Sequence, residues 1–322
     1  MGERIFVTGA SGRVGRPLVT ALAEAGHEVI GLARSEDKAR TVRDAGARDC
    51  VIGDLKDEDV LRTGAAGASR IYHLAGGARG PGQVTPDVLN NQGTRHLISA
   101  LSGRDDIERV VFTSTCAVYG DRVNLWVPED MPPTPNTRYG TSKVDAEQAL
   151  IESGLPVVLV RLAAVYGPGF PFMMTDRIEA GRCWLPGEGR NYVPTIHVED
   201  AVRGLVLLGE RGELGAAVHL SDPDPIQLKD FYAAIHQHVG GEPVKFWSTW
   251  VPSYVQRTAA RYNERVQSRL GRRPQFTPDN LKLFTSSVRL RVETLEKRLS
   301  FTWRYPNATV GLAATLGNPS RG

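Results

Sequence analysis

The amino-acid sequence predicts an α/β fold: a doubly wound parallel sheet with a smaller, discontinuous C-terminal lobe. Three observations predict it. Short runs that are apolar throughout alternate with segments of helical period over residues 4–161, as strands covered on both faces by helices do. A spaced trio of glycines lies where the first run gives way to the first helix. Beyond about residue 165 the alternation weakens. Prolines and glycines crowd 167–189, and Trp184, Trp247, Trp250 and Trp303 fall in this half, with only Trp126 earlier.

Residues 4–8 (Arg-Ile-Phe-Val-Thr) make the first strand, which ends at a glycine. Val14, Leu18, Leu22 and Ala25 recur at helical spacing across 13–25, and Gly26 stops that helix. A strand at 28–32, a helix at 36–45 and a strand at 48–52 follow, then a fourth strand at 70–74. The helix over 86–101 carries Val88, Leu89, Leu97, Ile98 and Leu101 on one face. A fifth strand at 109–113, a helix at 138–152 and a sixth strand at 156–161 complete the alternation. Ile196-His-Val-Glu-Asp-Ala-Val leads into a helix with Val202, Leu205, Val206 and Leu208, and Val218-His-Leu reads as one more strand returning to the sheet. The expected sheet domain is therefore 1–166 with about 193–220, and the second lobe 167–192 with 221–322.

The 322 residues are enough for one large or two modest domains. Thirty-nine Lys and Arg against 36 Asp and Glu leave a net charge of +3. That balance is too weak to argue for nucleic acid or an anionic membrane as a partner, and neither is expected. Cys50, Cys116 and Cys183 are odd in number and widely spaced. They fit neither a disulfide framework nor a zinc cluster, and they suit a reducing cytosol. No apolar run reaches the roughly 18 residues of a membrane span, and Met-Gly-Glu-Arg runs at once into a strand, so the expected location is cytoplasmic. No metal site is expected, because neither His73 nor His197 has a second ligand at suitable spacing.

Thr8-Gly-Ala-Ser-Gly-Arg-Val-Gly15 places Gly9, Gly12 and Gly15, with Ser11, Arg13 and Val14 between them, at the turn from strand to helix. Glycines permit the close approach of a pyrophosphate, and the helix N-terminus supplies free N–H groups. An NAD-preferring dinucleotide fold usually has a carboxylate at the end of its second strand. Here that place holds Ala33, followed by Arg34. A guanidinium there, joined by Arg13, can clamp a 2′-phosphate, which predicts NADP with NAD as the lesser possibility; the competing reading is a solvated loop arginine. Asp54 either accepts a hydrogen bond from the adenine amine or caps the helix starting near Asp57.

Tyr139-Gly-Thr-Ser-Lys143 opens a helix with Tyr139 and Lys143 on one face. A phenol, of pKa about 10, is a poor acid–base group at neutral pH unless a nearby cation stabilises the phenolate, and Lys143 one turn away is placed to do so. The fifth strand leads into Ser114 and Thr115 at the carboxyl edge of the sheet, where ligands bind in such folds. Asn90, Asn91, Gly93 and Thr94 lie on the preceding helix.

Together these motifs resemble those of the extended short-chain dehydrogenases/reductases, the group of nucleotide-sugar epimerases, dihydroflavonol reductases and 3β-hydroxysteroid dehydrogenases. The family's Thr-Gly-x-x-Gly-x-x-Gly is matched by Thr8 to Gly15, its Asp-Leu by Asp54-Leu55, and its His-Leu-Ala-Ala by His73, Leu74, Ala75 and Gly76. Its Asn-x-x-Gly-Thr is matched from Asn90 to Thr94, its Ser/Thr-x-x-Val-Tyr-Gly from Thr115 to Gly120, and its Tyr-x-x-x-Lys from Tyr139 to Lys143. Val160-Arg161 through Gly169, Ile196 to Asp200, and Leu295 to Phe301 are similar to later family motifs, so the likeness spans 4 to about 312. It implies a Rossmann-type nucleotide domain that binds NAD(P) through the glycine loop, Arg34, Asp54, Leu55, Leu74, Ala75 and Gly76, as well as Tyr139 and Lys143. It implies that Tyr139 gives or takes the proton of the substrate oxygen and that Lys143 lowers the tyrosine pKa and holds the nicotinamide ribose. Thr115 would bind that oxygen, with Ser114 as the fallback and Asn90 as a further member of the catalytic set. Family members often dimerise through the helices carrying Asn90 and Tyr139, so a homodimer is expected.

Departures from the family pattern bear on the substrate. Nucleotide-sugar members commonly carry Asn where Ala164 stands, and Arg-Asp-Phe/Tyr where Val193, Pro194 and Thr195 stand. The usual clamp for a diphosphate is therefore missing, although Arg182, Arg190 or a second-lobe arginine remains a possible substitute. The rest resembles the dihydroflavonol-reductase and hydroxysteroid branch, which takes apolar ketones or alcohols. The expected activity is interconversion of a ketone and a secondary alcohol on a small, largely apolar metabolite; the alternative is a nucleotide-sugar epimerase or dehydratase. Ala164, Val165, Phe170, Met173 and Trp184 join Thr115 as candidate substrate contacts, with Phe172 and Met174 beside them. Trp247, Trp250 and Tyr254 either wall the pocket or pack a core. Arg257, Arg261, Arg265 and Arg269 form a basic helical stripe, read as a solvated face. Cys116, next to Thr115, is given no role.

Overall fold

The computed structural model describes residues 2–77, 85–123, 125–170, 173–247, 253–270 and 277–317. In chain order the first half runs β1 Arg4–Thr8, α1 Gly15–Glu24, β2 Glu28–Ala33, α2 Glu36–Arg43, β3 Asp49–Ile52, α3 Glu58–Ala65, β4 Arg70–His73, α4 Gly93–Leu101 and β5 Arg109–Thr115. It continues with β6 Trp126–Val127, α5 Arg138–Glu152, β7 Val157–Leu162 and β8 Ala164–Tyr166. The remainder is α6 Thr175–Glu179, β9 Trp184–Pro186, β10 Tyr192–Val193, β11 Thr195–His197, α7 Val198–Arg211, β12 Ala217–Leu220, β13 Ile226–Gln227, α8 Leu228–Val239, β14 Lys245–Trp247, α9 Ser253–Arg269, α10 Pro278–Thr285, β15 Arg289–Leu290 and α11 Ala308–Leu316.

The central sheet has seven strands in the order β12-β7-β5-β4-β1-β2-β3, every pairing parallel. Its strands are apolar throughout because both faces are covered. Leu18 and Leu22 of α1, Val42 of α2 and Leu205 and Leu208 of α7 pack on one face. Leu61 of α3, Leu97 and Leu101 of α4 and Ala146 and Leu150 of α5 pack on the other. The strand order reverses between β1 and β4, the place where an open α/β sheet forms its crevice. β12 returns to this sheet beside β7, as expected from Val218-His-Leu. A further apolar cluster gathers Tyr166, Met173, Ile178 and Leu185 with Leu228, Phe231 and Tyr232 of α8 and Leu312 of α11. Sequence segments before and after α7 thus share one core.

Two elements differ from the pattern reading. A full helix, α3, lies between β3 and β4, where only a start near Asp57 was read. It lies so close to the sheet that a Cβ on Gly64 would sit 2.4 Å from the Phe6 ring, so an apparent helix breaker is a close-approach residue. The helix expected over 86–101 opens with a π-helical turn at Val88–Gln92 before α4 begins. There the Asn90 carbonyl accepts from the Thr94 hydroxyl at 2.6 Å, and the Asn90 side chain bonds away from its own helix. Such π-bulges accompany functional positions.

Candidate active site

At the end of β1 the chain turns through Gly9, at φ +71°, where a Cβ would lie 2.7 Å from the Ala75 nitrogen. A Cβ on Gly15 would lie 2.1 Å from the Gly9 carbonyl. The turn therefore admits no side chain at either place, and α1 begins at Gly15 without a side-chain cap on its N–H groups. Uncapped donors at a helix N-terminus are what an anion needs, so the loop fits the pyrophosphate of a dinucleotide. Thr8 Oγ1 lies 2.7 Å from His73 Nδ1 and accepts from the Ala75 nitrogen at 3.3 Å, while His73 Nε2 lies 3.0 Å from Thr94 Oγ1. Burial, helped by the Lys143 charge, pushes His73 down to about 3. The histidine is a neutral brace between β1, β4 and α4, as its place in a structural motif suggested.

Arg34 is exposed just past β2 and makes no ion pair among the described residues. Arg13 donates from Nε to the Gly169 carbonyl at 2.9 Å, joining the glycine loop to the segment after β8. Asp54 is not a helix cap; Asp57 fills that place, accepting from Val60 N at 3.2 Å. Leu55 is buried against Gly93, where a Cβ would meet it at 2.8 Å.

The other end of the crevice is built on α5. Thr137 caps the helix by accepting from Gly140 N at 3.0 Å, which fixes Tyr139 in its first turn. A Cβ on Gly140 would lie 2.6 Å from the Ala117 carbonyl, so α5 rests directly on the turn at Cys116–Tyr119. Burial pushes the Tyr139 phenol up to about 12, against the pull of a hydrogen bond from Thr115. The Lys143 ammonium, expected to lower the phenol, makes its hydrogen bond on the β5 side. Its Nζ donates to the Thr113 carbonyl at 2.8 Å and stands 4.6 Å from the centroid of the Phe112 ring. Burial brings Lys143 down to about 8, opposed by Glu147 one turn further on. Gly76, at φ +154°, passes so close that a Cβ would lie 2.5 Å from Asn90 Oδ1 and 2.9 Å from Lys143 Nζ. Asn90 accepts from Gly77 N at 2.9 Å and donates to the Gly77 carbonyl and to Ser142 Oγ, each at 3.0 Å. It ties the β4 loop to α5.

Ser114 does not share the crevice with Thr115. Its hydroxyl donates to Glu147, which Arg161 grips. Register explains this: Ser114 lies directly across from Arg161 on β7, so both meet the carboxylate hanging from α5. Val165, opposite Ile196 of β11, is half-buried and packs against the core cluster.

Two cavities follow from this framework. An inner one of about 330 Å³ is lined by Tyr139, Thr115 and Cys116 together with Asn136, Ala164, Val193 and Ser286. Among the described residues, no Lys, Arg, Asp, Glu or His lines it. Burial pushes the Cys116 thiol up to about 11, which leaves it a poor nucleophile. An outer cavity of about 980 Å³ is bordered by Arg13, Gly169, Phe170, Met173, Arg177 and Trp184. Phe284 of α10 lines both. Phe170, Met173 and Trp184 therefore belong with the outer space, and only Ala164 and Thr115 of the expected substrate contacts touch the inner one. Neither Arg182 nor Arg190 borders either cavity. Asn136 and Ser286, joined at 3.3 Å, were missed. Asn136 is legible in hindsight from its place three residues before Tyr139, whereas nothing in the sequence marks Phe284 or Ser286. Phe172, Trp250 and the side chains of Trp247, Tyr254 and Arg257 lie outside the described residues. Arg261, Arg265 and Arg269 are exposed.

The model of the family described as NAD dependent epimerase/dehydratase matches residues 5–220. A 4-hydroxy-2-methyl-3-oxo-4-farnesyl-3,4-dihydroquinoline-1-oxide ketoreductase of Stigmatella aurantiaca is 33% identical over 275 residues, covering 81% of this chain and 80% of the relative. A 3-beta-hydroxysteroid dehydrogenase of Mycolicibacterium neoaurum is 28% identical, covering 71% and 68%. Among solved structures, dTDP-glucose 4,6-dehydratase from Bacillus anthracis in complex with NAD superposes with a TM-score of 0.77 at 18% identity, covering 98% of this chain and 96% of that one. That last likeness speaks for the fold.

Proposed function

The chain belongs to the NAD dependent epimerase/dehydratase family as an NAD(P)-dependent oxidoreductase of the extended short-chain dehydrogenase/reductase type, and from that premise we propose that it interconverts a ketone and a secondary alcohol on a largely apolar small molecule, with NADP(H). The observation that carries this reading is the inner cavity: Tyr139 and Thr115 open onto a space with no charged side chain among the described residues. A diphosphate there would have no cation to meet it. The ketoreductase from Stigmatella aurantiaca supports the same direction.

When bound, the nicotinamide supplies or accepts a hydride at the carbon bearing oxygen. Tyr139 delivers the matching proton to the oxygen in reduction and removes it in oxidation. Thr115 donates a hydrogen bond to that oxygen. Lys143, anchored at the Thr113 carbonyl and with Asn90 beside it across Gly76, holds the nicotinamide ribose. The glycine loop and the N-terminus of α1 receive the pyrophosphate, and Arg34 meets the 2′-phosphate. Cofactor sits on residues 1–166 with 193–220 and substrate against 167–192 with 221–322, and two copies pair through α4 and α5.

The test is a panel of neutral aryl, alicyclic and long-chain ketones with NADPH, followed at the nicotinamide absorbance and by product chemistry. Stoichiometric loss of NADPH with one equivalent of alcohol is expected. Conversion of UDP- or dTDP-sugars without net NADPH loss, and inertness toward every ketone, would overturn the reading.

A further inference from the structure

The inner cavity carries a second polar spot that the reaction as described leaves unused. One spot is Tyr139 with Thr115. The other is Asn136 with Ser286. Among the described residues these four supply the hydroxyl and amide groups of a lining that is otherwise Cys116, Gly120 and apolar side chains such as Ala164, Leu228 and Phe284.

Asn136 and Ser286 come from parts of the chain 150 positions apart. Asn136 stands just before the Thr137 cap of α5, three residues ahead of Tyr139, and Ser286 directly follows α10. Main-chain contacts fix both. The Asn136 carbonyl accepts from the Lys282 ammonium of α10. Ser286 N donates to the Lys282 carbonyl at 2.8 Å, and Asn191 Nδ2 donates to the Ser286 carbonyl at 3.0 Å. A Cβ on Gly120 would lie 3.3 Å from Asn136 Cγ, so the amide rests close on that turn. Held this way, the two half-buried side chains face the cavity with little else to bond. They meet once, Asn136 Nδ2 donating to Ser286 Oγ at 3.3 Å. Among the described residues, Asn136 Oδ1 accepts no hydrogen bond and the Ser286 hydroxyl donates none.

An acceptor and a donor side by side suit one neutral group best. A hydroxyl donates to the amide oxygen and accepts from the serine. A ketone or ether oxygen takes only the serine proton, and a hydrocarbon leaves both groups unmet once water is excluded. We propose that Asn136 and Ser286 read a hydroxyl on the substrate, away from the carbon that reacts at Tyr139. The proposal rests on the reaction assigned above and narrows its substrates from apolar ketones to hydroxyketones, and to diols in the reverse direction. A bond serving only to brace α5 against α10 would be indifferent to the ligand.

The experiment uses alcohols on the NADPH-loaded chain, a pairing in which neither partner can pass a hydride to the other. Calorimetry compares decalin-2-ol with decalindiols whose second hydroxyl steps around the rings. In the native chain at least one diol is expected to bind about tenfold or more tighter than decalin-2-ol. In Ser286→Ala and in Asn136→Ala that gap is expected to close, with the Kd of decalin-2-ol within about twofold of native. Ser286→Ala removes a single hydroxyl and decides if Asn136→Ala does not fold. Equal weakening of both ligand types in the variants would make the pair a brace and overturn the proposal. So would a native chain that binds no diol more tightly than decalin-2-ol, or binds none of them. The matching hydroxyketones, followed by NADPH loss, test the reaction separately. No turnover of any ketone, with the diol preference intact, would break the reading of the reaction and leave the hydroxyl-reading pair standing.

Discussion

The two ends of the crevice are made of different material. The nucleotide end is backbone: Gly9 and Gly15, where a Cβ would strike main-chain atoms, and a helix terminus with no side-chain cap. The substrate end is side chain: Tyr139 and Thr115 from one half of the molecule meet Leu228, Phe284, Ser286 and Val288 from the other. A backbone cradle tolerates almost no substitution and recognises what all dinucleotides share. A side-chain wall can be repacked, and it selects one substrate from another.

Changes at the two ends should therefore differ in kind. The largest effect is expected from Tyr139→Phe, which removes the proton donor: turnover falls by about 10²–10⁴-fold while NADPH affinity, read by fluorescence titration, stays within about twofold. Normal turnover would remove Tyr139 from the reaction. Next comes Arg34→Ala, which takes away a charged contact worth about 1.5–3 kcal/mol. NADPH affinity should drop about 10–100-fold and NADH affinity hardly change; equal losses for both would mean that Arg34 does not read the 2′-phosphate. Phe284→Ala should join the inner and outer spaces. Its expected signature is a lower KM for the bulkiest ketones in the panel with a nearly constant NADPH Kd, and a change in NADPH Kd alone would place Phe284 at the wrong end.

The smallest effect concerns Asp222, far from the chemistry. Burial pushes its carboxyl up to about 8, and its Oδ1 is buried with no hydrogen-bond partner among the described residues. A folded pKa raised above the unfolded one means that the folded state holds the extra proton. The stabilisation is full below about pH 4 and is lost as pH rises through about 8. Asp222→Asn should therefore melt close to the native protein at pH 4 and higher than it at pH 8, by about 2–4 °C per kcal/mol recovered. A gain of the same size at both pH values would show that the carboxyl does not titrate in this window.

Legibility in the sequence follows the same division. The parallel sheet was readable, and the glycine loop, Arg34, and Tyr139 with Lys143 and Thr115 stand out as candidates, because each is a local pattern: an apolar run, a spacing, a helical repeat. Ser114 was misplaced because adjacent hydroxyls look alike in a sequence, and only the register of β5 against β7 turns one toward Arg161 and Glu147. Helix α3 was read only as a start near Asp57; its extent to Ala65 includes Gly64, whose close approach to Phe6 is visible only in the folded chain. Phe170, Met173 and Trp184, taken as substrate contacts, border the outer space and not the one at Tyr139.

By itself the sequence determined the sheet and the family and singled out Tyr139 and Lys143 as the acid–base candidates, since period and spacing along the chain encode a strand, a tight turn or a pair on one helical face. Only the tertiary structure decided which way Lys143 points, that Glu147 and Arg161 lie behind it, and that Phe284 divides the space before Tyr139. Those facts depend on residues tens to more than a hundred positions apart arriving at one point. Their contact is fixed by the packing of α5 and α10 on the framework, for which no short stretch of sequence carries a signal.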